Sequence, residues 1–286
     1  MFDVLNFLDS AIKLYDLFKS PDPVCCGKIG NAELMCVYNY QLALHHKQTP
    51  IQWSPVVEKE IYVNAGVFPQ TEYARVSFCQ ELEKAVANSD LLAAWNGGLS
   101  DFERRFIKSR SPDCILADLG SLEPYYSGIP WTKFLKNKRV LVISPFVESI
   151  KAQYARRNLV WENNLLPEFE LLTLYHPTSK AISTNNNNYG SWNDMINDLK
   201  SKMEKIDFDA ALIGTGASSL PLASHAKNLG KKAIHLGGPL QILFGIKGGR
   251  WDGNKIIGSF FNDYWIRPSE AEIPSGYRQI EGGCYW

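Results

Sequence analysis

The chain has 286 residues, and its 30 Lys+Arg balance 30 Asp+Glu to a formal charge of +0 at pH 7. That balance excludes a whole-chain basic footprint for nucleic acid or an anionic membrane. The 45% hydrophobic and 21% charged content excludes a disordered chain. No run approaches the ~18 consecutive apolar residues of a membrane span. Asp3, Asp9 and Asp16 interrupt the N-terminal apolar residues, unlike a secretory signal. The six cysteines include no CxxC pair, and there is no Asn-x-Ser/Thr sequon. The expectation is a soluble, cytoplasmic chain with reduced thiols and no zinc site.

Along the chain, Val4, Leu8, Ile12 (or Ala11), Tyr15 and Phe18 predict a helix within residues 1–20, ended by Pro21 and Pro23. Then a unit recurs: an apolar run, a small or turn residue, and a helical pattern. "PVCCGKI" leads into Ala32–His45, and "SDLLAAW" leads through Asn96-Gly97-Gly98 into Asp101–Lys108. "CILADLG" follows, and "RVLVISPF" leads into Glu148–Asn158. "FELLTLY" precedes a polar tract, "FDAALIG" leads into Ala217–Leu229, and "KAIHLGG" closes the series. Short buried runs alternating with helices predict an α/β fold, a doubly wound, mostly parallel, Rossmann-like sheet with helices on both faces. The whole chain, 1–286, reads as one domain. "STNNNNYG" (Ser183–Gly190) reads as a loop or lid, and 177–191 as a possible sub-domain join.

In such sheets ligands bind at the carboxyl ends of strands, so the loops there hold the candidates. "GKIGNAEL" supplies Lys28, Gly30, Asn31 and Glu33. Glu33 in the first turn of a helix is explained by the helix dipole. An amide and a carboxylate two residues apart could also hold a divalent cation on a diphosphate. "LIGTGASSL" supplies Gly214, Gly216, Ala217, Ser218 and Ser219, a strand-to-helix turn suited to an anion. The third glycine of GxGxxG is Ser219 here, and no ribose-binding acid follows. The next strand ends instead in His235-Leu236-Gly237-Gly238. Nicotinamide and S-adenosylmethionine sites are therefore disfavoured. "VISPFVESIKAQYARR" adds Ser144 and Glu148, and "LGSLEPYYSGIPW" adds Glu123 beside tyrosines, both carboxylates candidate bases. The Gly-rich "GGPLQILFGIKGGRWDG" is expected to close the pocket, with Gln241 or Arg250 on the ligand. P-loop, HExxH and GxSxG motifs are missing.

"KIGNAEL" resembles the Arg-(Phe/Ile)-Gly-Asp-Gly-Glu segment of GT-D-fold glycosyltransferases, and "GTGASSLPLASHAKNLGKKAIHLGG" resembles that family's second signature. "RVLVISPFVESIKAQY", "GGPLQILFGIKGGRWD" and "EGGCYW" are similar to a branch from polysaccharide and capsule clusters. The resemblance runs from about Val24 to Trp286. It implies a glycosyltransferase using a nucleoside-diphosphate sugar, UDP first, and a glycan acceptor, with Glu33 and Asn31 on a Mn or Mg ion. Asn31 stands at the family's Asp position and Lys28 at its Arg position, which weakens the metal site and replaces a bidentate fork with a point charge. The alternatives are a nucleotide-dependent methyltransferase or dehydrogenase, and a non-catalytic glycan-binding protein.

Overall fold

The computed structural model describes residues 2–177 and 188–286. Its elements begin with α1 (Phe7–Lys19), β1 (Val24–Lys28), α2 (Asn31–His45), α3 (Pro55–Val63) and α4 (Glu72–Ala87). Next come β2 (Leu91–Ala94), α5 (Ser100–Arg110), β3 (Ile115–Asp118), β4 (Arg139–Ser144), α6 (Val147–Tyr154) and α7 (Arg157–Val160). The remainder is β5 (Glu170–Tyr175), α8 (Trp192–Glu204), β6 (Ala210–Ile213), α9 (Ser219–Asn228), β7 (Lys232–His235), α10 (Pro239–Leu243) and α11 (Lys255–Gly258). Short 3-10 turns carry β3 into β4, the last over Trp131–Leu135.

The strands form one sheet in the order β3-β2-β1-β7-β6-β4-β5, and every neighbouring pair is parallel. The sheet is thus wholly, not mostly, parallel among the described residues. Its runs are apolar throughout because both faces are covered, and the two-residue period sorts them. Cys25, Leu92, Leu141, Ile143, Ala211 and Ala233 enter one core, shared with α2, α4, α5, α8 and α9. Cys26, Leu91, Ala93, Val140, Val142, Leu212 and Ile234 enter the other, shared with α1, α6 and α10. Each fully buried Leu or Ile stabilises the fold by about 1.5–3 kcal/mol.

Right-handed crossovers explain which helix lies where. Moves from β1 to β2 to β3 and from β5 to β6 to β7 run one way along the sheet and use the first face. The move from β4 to β5 runs the other way and uses the second. So the chain leaves β1 and β6 toward one face, and leaves β4 and β7 toward the other. A crevice opens between these loops at the carboxyl edge.

Some expectations shift. The packed stripe of α1 is Ser10, Ala11, Leu14 and Phe18, while Leu8 (61% exposed) and Ile12 (39%) face outward. The helix turns about one position from the predicted face, with Ala11 replacing Ile12. The Glu148–Asn158 helix breaks after Tyr154 and resumes as α7. Helices α3, α4 and α8 have no counterpart in the sequence reading. The possible join at 177–191 and the loop Ser183–Gly190 lie outside the described residues except at Pro177 and from Asn188 on. On either side of that tract the strands belong to the same sheet, since β6 and β7 lie between β4 and β1. All six cysteines are free and five are buried.

Candidate active site

A cavity of about 270 Å³ occupies the crevice. Residues after β1 (Lys28, Gly30, Asn31, Glu33), β4 (Ser144), β6 (Gly214, Gly216) and β7 (His235, Gly237, Gly238) line it together with Gln241 and Arg250. Twelve residues singled out from sequence therefore share one space, though they span 223 positions from Lys28 to Arg250.

At the end of β1, Gly30 is the N-cap of α2 and Glu33 its third residue. The Glu33 carboxylate folds back over Gly30, where any Cβ would collide with it, and accepts its own backbone N–H. Glu33 is 8% exposed. Burial raises its pKa, opposed by that hydrogen bond and by the Lys28 charge. The Lys28 ammonium lies beside Gly237 and makes no hydrogen bond or ion pair among the described residues. Burial lowers its pKa; Glu123 and Glu33 pull it up, and Arg250 pushes it down.

At the end of β7, the Lys28 carbonyl lies 2.9 Å from His235 Nδ1. A carbonyl only accepts, so Nδ1 carries the proton and Nε2 is left as an acceptor beside Gly237. Burial, then Lys28, push the His235 pKa down to about 3, so the ring is neutral at pH 7. Gly27 is small for a reason: a Cβ there would lie 2.7 Å from that of His235.

The turn after β6 departs from the expected anion cradle. The Ala217 N–H donates to Ala65 O (3.0 Å), and the Thr215 N–H to Ser219 Oγ (2.8 Å). Ser218 Oγ is buried, accepting from Trp192 Nε1 (3.1 Å) and pairing with His176 Nε2 (3.0 Å). Ala217 and Ser218 do not line the cavity. Ser218 is a tie between β5, α8 and the turn, and its expected ligand contact is corrected on that ground. Gly216 has φ +57°, and a Cβ there would meet Ala65 O at 2.8 Å, not a ligand.

The candidate bases separate. Glu148 is exposed, pairs with Lys151 (2.8 Å) and is off the cavity, so it is corrected as a catalytic candidate. Glu123 is held by the Tyr125 hydroxyl, and burial raises its pKa. Its charge raises the Lys28 pKa, but it does not line the cavity. Ser144 accepts the Phe146 N–H (3.1 Å) with its hydroxyl, a turn contact at the cavity wall.

The last residues close the opposite wall. Gln241 Nε2 donates to Tyr285 O (2.8 Å), and the Arg250 N–H donates to Cys284 O (2.8 Å). The Arg250 guanidinium lies over the Tyr285 ring (4.9 Å) and pairs with Glu281. That pair is 40% and 38% exposed, which puts it among ion pairs worth about 0–1 kcal/mol. Tyr285, Trp286 and Glu281 line the cavity, as do Trp95, His176 and the Asn64–Gly66 loop. Sequence reasoning missed all of these as site residues. Gly238 and Gly248 let the C-terminal segment approach: a Cβ would lie 3.1 Å from the Tyr285 ring at Gly238 and 2.8 Å from Cys284 O at Gly248.

Whether the site suits a divalent cation can be judged from its donors. Among the described residues no three His, Cys, Asp or Glu side chains group as metal ligands. Of the cavity carboxylates, Glu281 pairs with Arg250 and Glu60 accepts from Asn64. Glu33 remains, opposite Lys28, and Asn31 is neutral. The donor set does not fit a resident Mn or Mg ion.

Two solved structures are similar. A selenomethionine-substituted structure of domain of unknown function 1792 is 14% identical, covering 83% of this chain and 79% of its own at a TM-score of 0.45. A second structure, of a domain of unknown function 1792 described as having a distinct glycosyltransferase fold, is 15% identical, covering 82% and 78% at 0.42. No family model matches the chain, and neither does any curated protein.

Proposed function

We propose that this chain is a glycosyltransferase, moving a sugar from a nucleoside-diphosphate donor, UDP as first choice, to a hydroxyl of a glycan acceptor in polysaccharide or glycoprotein-glycan assembly. The observation that carries the reading is the convergence of Lys28, Glu33, His235 and Arg250 on one cavity at the diverging carboxyl edge of a parallel sheet. In the reaction the bond from the anomeric carbon to the β-phosphate oxygen breaks, and one to the acceptor oxygen forms. The acceptor hydroxyl passes its proton to Glu33 as general base, and the departing diphosphate needs positive charge around it. Lys28 and Arg250 supply charge of that sign. Among the described residues, Glu33 is the cavity carboxylate with no cation or amide side chain bonded to it. Tyr285, Trp286 and Trp95 offer aromatic faces of the kind that hold sugars and bases.

A thermal-shift panel tests the reading. UDP, GDP and their sugars should include a stabilising ligand, whereas S-adenosylhomocysteine and NAD should have no effect. Slow release of free sugar from the stabilising donor should follow. Stabilisation by NAD or S-adenosylhomocysteine alone would replace the proposal with the dehydrogenase or methyltransferase alternative. Donor binding without hydrolysis or transfer would leave a glycan-binding protein.

A further inference from the structure

We propose that Lys28 and Arg250 grip the diphosphate of the ligand directly, without an intervening divalent cation, and that the ligand displaces Glu281 from Arg250. The inference rests on the nucleoside-diphosphate reading of the cavity and specifies how that ligand is held.

Lys28 faces the cavity with no hydrogen-bonding or ion-pair partner among the described residues. Arg250 reaches the same cavity, close enough that its charge weakens the protonation of Lys28. Two cations converging on one space are unfavourable until an anion enters between them. The buried carboxylates whose charge acts on Lys28, Glu123 and Glu33, form no ion pair with it among the described residues. Together with the donor set unsuited to a metal, this leaves side-chain cations as the source of positive charge.

Glu281 is the internal anion already on Arg250. It is a non-glycine residue at φ +46°, followed by Gly282 and Gly283 at +71° and +83°. Its N–H donates to Asn64 Oδ1 at a long 3.3 Å. A half-exposed ion pair on a left-handed turn is weakly held. A diphosphate carries more charge than one carboxylate and offers two oxygens to the guanidinium fork. It can therefore replace Glu281 on Arg250 while engaging Lys28 at the other side.

Calorimetric titration with inorganic pyrophosphate and with UDP, each in EDTA and again with Mn²⁺, tests the inference. Both ligands should bind equally well in the two media. Lys28→Met and Arg250→Gln should each weaken both by about tenfold or more, equivalent to about 1.4 kcal/mol, and the exposed Arg250 site keeps the second variant foldable. Glu281→Gln should tighten binding about threefold. Binding that appears only with Mn²⁺, or wild-type affinity in both cation variants, overturns the direct grip. Wild-type or weaker affinity in Glu281→Gln overturns the displacement. UDP binding that needs Mn²⁺ leaves the transferase reading standing while this inference fails. Pyrophosphate binding as described, with every nucleotide rejected, upholds the grip and defeats the transferase reading.

Discussion

Replacing Gly216 by valine separates a ligand-facing turn from a structural one. If the position faced an anion, the side chain would block binding and leave stability alone. The geometry argues otherwise. At φ +57° an L-residue costs about 1–2 kcal/mol, and a β-branched one lies at the upper end. The added Cβ would also lie 2.8 Å from Ala65 O, a backbone atom that cannot swing away as a side chain would. Parting the two loops enough to relieve that contact stretches the Ala217 N–H to Ala65 O bond, worth about 1 kcal/mol. The sum is about 2–4 kcal/mol, a large share of an ordinary stability of about 5–15 kcal/mol. Urea unfolding should show a lower midpoint at unchanged slope, with Gly216→Ala falling between. A Gly216→Val protein as stable as wild type would refute the reasoning.

Glu33→Gln should lower turnover by about a hundredfold or more, ~3 kcal/mol of transition-state stabilisation, while folding stability changes by at most ~2 kcal/mol, the upper range for a partly buried helix-terminal carboxylate. Glu148→Gln, on the exposed face of α6, should match wild type in the same assay, and an Asn31→Asp enzyme is the variant in which Mn²⁺ dependence should appear. Gln241→Ala cuts the bond to Tyr285 O and should raise the donor KM several-fold with kcat little changed; unaltered steady-state kinetics would mean that the tether plays no part in donor binding. His235 and His176 are buried and neutral, with pKa values of about 3 and about 4. Their folded values lie below the ordinary 6.5, so the unfolded chain binds more protons between those limits. The stability they contribute is complete above about pH 6.5 and is lost as the pH falls toward 4 and 3, by up to about 1.4 kcal/mol per pH unit for each. Unfolding of His235→Gln should have a shallower acid slope than wild type, and an identical slope would exclude His235 as its source.

The strands were legible because both faces of the sheet are covered, which makes runs such as "LLAA" and "VLVIS" apolar without interruption. Helices α3 and α4 were not, because they lie in a long excursion between two neighbouring strands, and no apolar run within it marks a boundary. In the site, β1, β6 and β7 announced themselves by Gly, Lys and His directly after apolar runs. Glu281 and Tyr285 could not be placed that way. They reach the cavity through the fold-back of an irregular segment, and only the paired small residues at Gly238 and Gly248 hint that something must pack there. Ser218 misled for the opposite reason: a hydroxyl at the start of a helix looks free in sequence, whereas Trp192 and His176 reach it from distant elements.

The two walls of the cavity are rooted in different cores. Lys28, Glu33 and the Asn64–Gly66 loop are tied to α2 and α3 on one face, and Gln241, Arg250 and Tyr285 to the packing of α10 and Trp251 on the other. The sheet separates the two cores, so repacking beneath one wall reaches the other chiefly through the Glu281 N–H bond to Asn64 Oδ1. Variation can therefore reshape the C-terminal wall, and with it the choice of ligand, while the β1 corner stays fixed. Paired substitutions across the gap should then be additive for folding and depart from additivity chiefly when a ligand spans both walls.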